Sequence, residues 1–389
     1  MKKQIVSVFL TGALMCLAGC SSFPTVYDRI DSDEFRLLDF MYEPAEAAPG
    51  DTVTLRAVFA GKSIKSVDNI DWRLSCQVMV NEYGRDTAYD YRPLEKEPVS
   101  YSFSDNTQSV AFKFKIPDNA ISNSDAIPDN WVELVPNHLR NELPEELTSL
   151  SKTDLINLIE LCAEGNVPFD PAIQDILPAM LQFLTVRVRI RANVPGEHAI
   201  VSNYSVRYNS RFASQYQVPV NRNPVIDSAG VYKVKGNNLV VFDSTLEHEF
   251  IRLYGPDEGG EDTSTLFIEN GYTYFMAAFT NNVDSTLSME AATGNAGWMK
   301  ESHNTLWYYH LDPEETDGVS HTKYMNIVND NALIVQLLPP LDRRITRFTV
   351  WLEVNDSVLN EMFRPRGSAL KEYYCKFEYA AEYFDSSSQ

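Results

Sequence analysis

Short runs of strict apolar–polar alternation, each fenced by turn residues, constrain this chain more than any other feature. Ser109 to Ile116 (SVAFKFKI) sets Val110, Phe112, Phe114 and Ile116 against Lys113 and Lys115, and stops at Pro117. Thr185 to Ala192 (TVRVRIRA) sets Val186, Val188 and Ile190 against three arginines. A period of two sends alternate side chains to opposite faces, so each run reads as a half-buried β-strand. Asp51 to Phe59 obeys the same rule through Val53, Leu55 and Ala57. Ile70 to Val80 obeys it through Trp72, Leu74 and Cys76, and Ala199 to Tyr208 through Tyr204, Val206 and Tyr208. The expectation is a mainly β protein.

Between Asp129 and Leu184 the period changes. Ser151 and Asp154 form a capping pair ahead of Leu155, Ile156, Leu158, Ile159 and Leu161, and Gly165 ends that helix. Asp170-Pro171 opens a second helix running to Leu184, which Pro178 should kink. A shorter helix is expected over Val135 to Leu143. Strand grammar then resumes and repeats. Gly271 to Phe279 mirrors Gly50 to Phe59, and Ala332 to Leu338 mirrors the strand that ends at Pro117. Thr349 to Val354 aligns with Thr185 to Ile190, and Glu372 to Tyr379 with Asn203 to Tyr208. Gly50 and Gly271 stand 221 positions apart, but Thr185 and Thr349 only 164; the 57-residue difference nearly equals the 56-residue helical block 129–184. One half therefore reads as the other with helices placed before its penultimate strand.

The segment Pro44-Ala45-Glu46-Ala47-Ala48-Pro49-Gly50-Asp51-Thr52-Val53 resembles the opening of bacterial immunoglobulin-like domains, where such a turn precedes the second strand. Trp72 stands where those domains carry a core tryptophan, and Asn223-Pro224-Val225-Ile226 is similar to the start of a further module. The likeness covers 37–118 and 185–211, and more loosely 223–384. It implies tandem immunoglobulin-like β-sandwiches, the first with an α-helical insertion. The chain departs from antibody domains in one respect: neither the Leu55 strand nor the Val188 strand holds a cysteine for an inter-sheet disulfide.

At the N-terminus Lys2 and Lys3 precede a short apolar run, Ile5 to Met15, and then Leu17-Ala18-Gly19-Cys20. The run is too short to span a hydrocarbon core of ~30 Å, so it reads as a signal peptide. Leu17-Ala18-Gly19-Cys20 resembles the lipobox of bacterial lipoproteins. That resemblance implies cleavage before Cys20, diacylglycerol on its sulfur, an acyl chain on its new amino group, and attachment to an envelope membrane. Ser21 in place of aspartate implies the outer membrane. The expected organisation is a signal peptide over 1–19, a tether over 20–36 and a first sandwich over 37–211 with its insertion at 129–184. A linker over 212–222, a second sandwich over 223–384 and a tail over 385–389 follow.

The 54 acidic and 33 basic residues give a formal charge of −21, which argues against nucleic acid as a partner. Loss of Lys2 and Lys3 with the signal makes the body more acidic still. Cys76, Cys162 and Cys375 match no metal-ligand spacing and read as small buried hydrophobes. No G-x-S-x-G elbow and no phosphate-cradling glycine loop occurs, and Glu247-His248-Glu249 lacks a second histidine one helical turn away. The acidic segments Asp257 to Asp262 and Asp312 to Gly318 read as solvated hairpin tips. No cofactor, metal or catalytic set is expected. Dispersed carboxylates of an envelope hydrolase are the reading that sequence leaves open on the enzymatic side.

The remaining lead is aromatic. Trp298, Trp307, Tyr308, Tyr309 and His310 fall close together. On a strand Trp307 and Tyr309 point one way and Tyr308 and His310 the other, so one set could offer rings to a polysaccharide, whose C–H faces stack on aromatics. The leading expectation is a non-enzymatic, lipid-anchored scaffold or protein-interaction module. A glycan- or surface-binding adhesin is the first alternative.

Overall fold

The computed structural model describes residues 30, 35–60, 67–82, 85–104, 106–118, 120, 129–134, 141, 145–163, 184–196, 198–206, 221–256, 264–281, 285–287, 298–300, 302–312, 326–328, 333–340, 343–357 and 367–384. The protein is mainly β. In the N-terminal half the strands are β1 (Arg36–Glu43), β2 (Thr52–Ala60), β3 (Asp71–Glu82), β4 (Arg85–Leu94), β5 (Ser100–Phe103) and β6 (Thr107–Lys115). Helices α1 (Glu145–Thr148) and α2 (Lys152–Ala163) follow, then β7 (Leu184–Asn193) and β8 (Ile200–Val206). The C-terminal half opens with β9 (Val225–Lys235), β10 (His248–Leu253), β11 (Ser264–Ile268), β12 (Tyr272–Asn281), β13 (Ser285–Leu287) and β14 (Trp298–Lys300). It closes with β15 (Ser302–Asp312), β16 (Asn326–Val328), β17 (Ile334–Leu338), β18 (Arg347–Ser357) and β19 (Ser368–Tyr379).

Four sheets carry the architecture. Sheet I has the order β4-β3-β7-β8 and sheet II the order β1-β2-β6-β5. Sheet III has the order β11-β19-β18-β15 and sheet IV the order β10-β9-β12-β17-β16. Alternation decides which faces meet. On sheet II Val53 lies opposite Phe114, Leu55 opposite Phe112 and Ala57 opposite Val110. On sheet I Leu74 lies opposite Ile190 and Cys76 opposite Val188. All ten are buried in one core, which Leu147, Leu155 and Ile156 of the two helices complete. Such cross-strand apolar pairs are the unit of sheet stabilisation. The α2 cap is formed as the sequence requires: the Asp154 backbone N–H donates to Ser151 Oγ at 3.2 Å, and that hydroxyl donates to Asp154 Oδ2 at 2.6 Å.

A second core lies between sheets III and IV, with Trp307, Tyr309, Val350, Leu352 and Tyr373 from one and Val231, Tyr274, Met276 and Leu337 from the other. Cys76 and Cys375 are free thiols, one in each core. Burial pushes the Cys375 thiol well above its ordinary range.

The halves share a path. In both halves the first strand, β1 or β9, pairs with β2 or β12, which pairs in turn with a later strand, in the orders β1-β2-β6-β5 and β9-β12-β17-β16. The trios β3-β7-β8 and β15-β18-β19 also correspond. The four sequence correspondences thus join β2 to β12, β6 to β17, β7 to β18 and β8 to β19. Gly50 and Gly271 lead into β2 and β12 with the same left-handed φ, +88° and +89°. Side chains other than glycine rarely adopt that conformation. The C-terminal half adds β10, and β11, which pairs with β19 in parallel.

Three boundaries differ from the sequence expectation. Ile30, inside the expected tether, is fully buried. Leu184 begins β7 rather than ending a helix. Asn221, at the end of the expected linker, is buried and bonded to both halves. The helix expected after Asp170 lies outside the described residues, as do the signal peptide and Cys20. Of the Val135 to Leu143 helix the described residues include only Asn141, a turn.

Candidate interaction surfaces

The outer faces of sheets II and III lie against each other. Leu38, Val58 and Ala60 from sheet II, Trp351 from sheet III and the isolated Ile30 form a third buried cluster, with Met41, Tyr308 and Leu370 at its margin. The four sheets are therefore stacked in the order I, II, III, IV. Strand β18 is covered on both sides as a result: Val350, Leu352 and Val354 face its own core, while Thr349, Trp351, Glu353 and Asn355 face the other half, and all are buried.

Buried polar groups gain from being paired, because an unpaired one carries a desolvation penalty, and this junction pairs most of the polar side chains on β18. Trp351 Nε1 donates to Thr107 Oγ1 at 2.8 Å, and Asn106 Nδ2 donates to Thr349 Oγ1 at 2.9 Å. The Tyr308 hydroxyl donates to Glu353 Oε2 at 3.0 Å, and the Asn355 amide donates to the other carboxylate oxygen. Burial first, and Glu353 second, hold the Tyr308 phenol well above its usual range, so it remains a donor. The Arg36 guanidinium lies 5.2 Å from the centroid of the Tyr308 ring. Asn223 acts as a clasp. Its amide donates to the Tyr42 carbonyl and to Glu43, each at 2.7 Å, and its carbonyl accepts from the Ser368 N–H at 3.1 Å.

Ile30 enters from the N-terminal side. Its N–H donates to the Tyr309 carbonyl at 2.8 Å, and its own carbonyl lies 2.8 Å from His310 Nδ1. That pairing makes His310 Nδ1 the proton-bearing nitrogen. The side chain fills the cluster beneath Trp351.

The aromatic residues singled out from sequence belong to these buried regions. Trp307 and Tyr309 are core residues, at 0% and 3% exposure. Tyr308 and His310, on the other face, are covered by the N-terminal half. An exposed platform built from Trp307, Tyr308 and Tyr309 is corrected accordingly: β15 is packed on both faces, so its rings are spent on packing. Trp298 stands on β14, and its side chain lies outside the described residues, as do the acidic segments 257–262 and 313–318.

Exposed rings do occur in the C-terminal half, on the outer face of sheet IV. Register places Phe250, Tyr232, Phe275 and Gln336 in one row, and Gly230, Ala277 and Ile334 in the next. The loop after β9 lays Phe242 against Tyr232, with ring centroids 4.4 Å apart, and 5.8 Å from Phe275. The Leu239 N–H donates to Thr273 Oγ1, and Gln336 Nε2 donates to the Leu239 carbonyl. Phe250 lies over Gly230, where any Cβ would meet its ring at 2.2 Å. It meets Phe279 edge to face at 5.4 Å. Phe250 and Phe279 stay 39% and 38% exposed, and Val240, Val241, Leu333 and Ile334 are exposed too. The signal in the sequence was the run Tyr272 to Phe279, which is apolar on both faces rather than one.

Among the described residues no group of three His, Cys, Asp or Glu side chains could hold a metal ion. No described helix is long and apolar enough to cross a membrane. No family model matches the chain, and no curated protein matches it. Among solved structures it is similar to Spo0M, a sporulation control protein from Bacillus subtilis, at 12% identity over 69% of this chain and 84% of that one, with a TM-score of 0.19. It is also similar to a conserved domain protein from Bacillus anthracis, at 9% identity over 89% of this chain and 90% of that one, with a TM-score of 0.14. At such TM-scores neither likeness bears on what the chain does.

Proposed function

We propose that this protein is a non-enzymatic lipoprotein of the bacterial cell envelope, held in the outer membrane by lipid on Cys20, and that it serves as a scaffold or protein-interaction module. In this reading the halves are tandem immunoglobulin-like β-sandwiches, and the block 129–184 is a helical insertion in the first. The observation that carries the reading is the polar-bonded junction, which makes one rigid four-sheet body and leaves the aromatic outer face of sheet IV open. A rigid body with one open aromatic face suits display of a binding surface better than turnover, because aromatic, low-entropy patches anchor partners.

The test has two arms. Metabolic labelling with palmitate and membrane fractionation of Cys20→Ser should show loss of label and release from the membrane; retention of both sinks the anchor. Site-specific photocrosslinkers at Phe250 and Phe279 in living cells should give discrete protein adducts that are absent with a crosslinker at Lys113. Equal, diffuse adducts at all positions sink the interaction face. The rings of sheet IV also favour glycan binding as a second reading. Polysaccharide pull-down that fails equally for the native chain and for Phe250→Ser disposes of it.

A further inference from the structure

The opposite end of the stack carries a different chemistry. On sheet I, Val188, Ile190 and Ala192 turn into the core, so Arg187, Arg189 and Arg191 line the outer face of β7. Register sets Arg191 opposite Arg73 of β3, which is on the same face, and sets Arg189 between Ser75 and Asn203. Among the described side chains of β3, β7 and β8 this face holds four guanidinium groups against one carboxylate, Asp71. Asp71 is engaged by Arg73 at 2.8 Å, and that hydrogen bond holds its carboxyl below the usual range. Arg191 Nε donates to Asn193 Oδ1 at 2.9 Å, and the Asn193 amide donates to Asp71 Oδ2 at 3.2 Å. Residues i and i+2 on a strand are ~6.8 Å apart, so the three β7 arginines form a flat comb of positive charge.

This comb stands out against a chain with 54 acidic and 33 basic residues. A body of net negative charge is repelled by an anionic surface in every orientation but the one that presents such a face. We propose that the outer face of sheet I seats on the anionic headgroups of the membrane that the Cys20 lipid enters. The proposal rests on the anchor reading for its geometry. Ile30 is fixed between sheets II and III, and the nine residues from Ser21 to Arg29 reach about 30 Å when extended. Stacked sheets lie ~10 Å apart, so the outer faces of sheets I and IV are each about one and a half layers away, and it is charge that selects sheet I. With sheet I seated, the aromatic face of sheet IV points away from the membrane toward whatever it meets.

The test uses the chain from residue 20 with Cys20→Ala, so no acyl chain contributes. It should co-sediment with phosphatidylglycerol vesicles and not with phosphatidylcholine vesicles, and added salt should release it. Each arginine near an anionic surface contributes about fivefold in partitioning, so Arg187→Glu/Arg189→Glu/Arg191→Glu should lose about a hundredfold or more. Arg189→Gln/Arg191→Gln, a milder pair, should lose about twentyfold or more with an unchanged circular dichroism spectrum, and lysine at all three positions should retain binding. Equal binding to both vesicle types, or native binding by the glutamate triple variant, overturns the proposal. Tighter binding to a soluble acidic polysaccharide than to vesicles also overturns it, in favour of a polyanionic glycan. Because the assay contains no lipid anchor, its failure leaves the Cys20 reading standing, and failure of Cys20 fractionation leaves this assay standing.

Discussion

Sheets III and IV each carry apolar side chains on both faces, yet their outer faces have opposite fates. On sheet III the outer face sets Trp351 among Thr349, Glu353 and Asn355, and all are covered and hydrogen-bonded. On sheet IV the outer face sets rings and aliphatic side chains beside Arg252, Thr273 and Gln336, and the Phe242 loop caps it only in part. Apolar area drives both packings, but it has no direction. Hydrogen bonds with fixed geometry convert one face into a unique docking, whereas stacked rings leave the other able to accept more than one neighbour.

Breaking that contrast gives a graded set of expectations. Trp351→Ala should have the largest effect, about 3–5 kcal/mol, because it empties the centre of the junction and orphans Thr107. Calorimetry should then show two transitions where the native chain gives one; a single unshifted transition would contradict a load shared across the halves. Ile30→Ala should cost about 2–4 kcal/mol, and less if the cluster collapses around it. Asn106→Ala should cost about 1 kcal/mol in chemical denaturation through the unpaired Thr349 hydroxyl. Phe250→Ser should also cost about 1 kcal/mol, since its ring is only partly covered, while abolishing any adduct formed at the sheet IV face. The smallest effect expected is on thiol chemistry. Cys76 and Cys375 should resist iodoacetamide at neutral pH until denaturant is added, since both are buried in cores and burial keeps the Cys375 thiol protonated.

Where one face of a strand meets its own half, the pattern was readable. Val53, Leu55 and Ala57, or Phe112 and Phe114, are buried as their alternation required, and the Ser151 cap forms as written. The strands without alternation were not readable. Arg85 to Leu94 is a strand because β3 pairs with it, and its own side chains do not announce that. The junction was hidden for a related reason. The residues that cover β18 sit some 240 positions earlier in the chain, and no local period reports a neighbour at that distance. The cluster Trp307 to His310 is dense in aromatics, but density alone does not separate a ring that packs from a ring that is offered. Doubly apolar strands were the better clue, since a second apolar face must find a cover or remain open.

The bond between Ile30 and His310 spans 280 positions, among the longest loops this chain closes. Such a closure carries a large entropic cost and forms late, after strands 15 and 18 have been synthesised and paired. Until β15 is synthesised and paired, Ile30 has Leu38, Val58 and Ala60 beside it but lacks its hydrogen bonds to Tyr309 and His310. The last knot of the protein is tied only when its final third arrives.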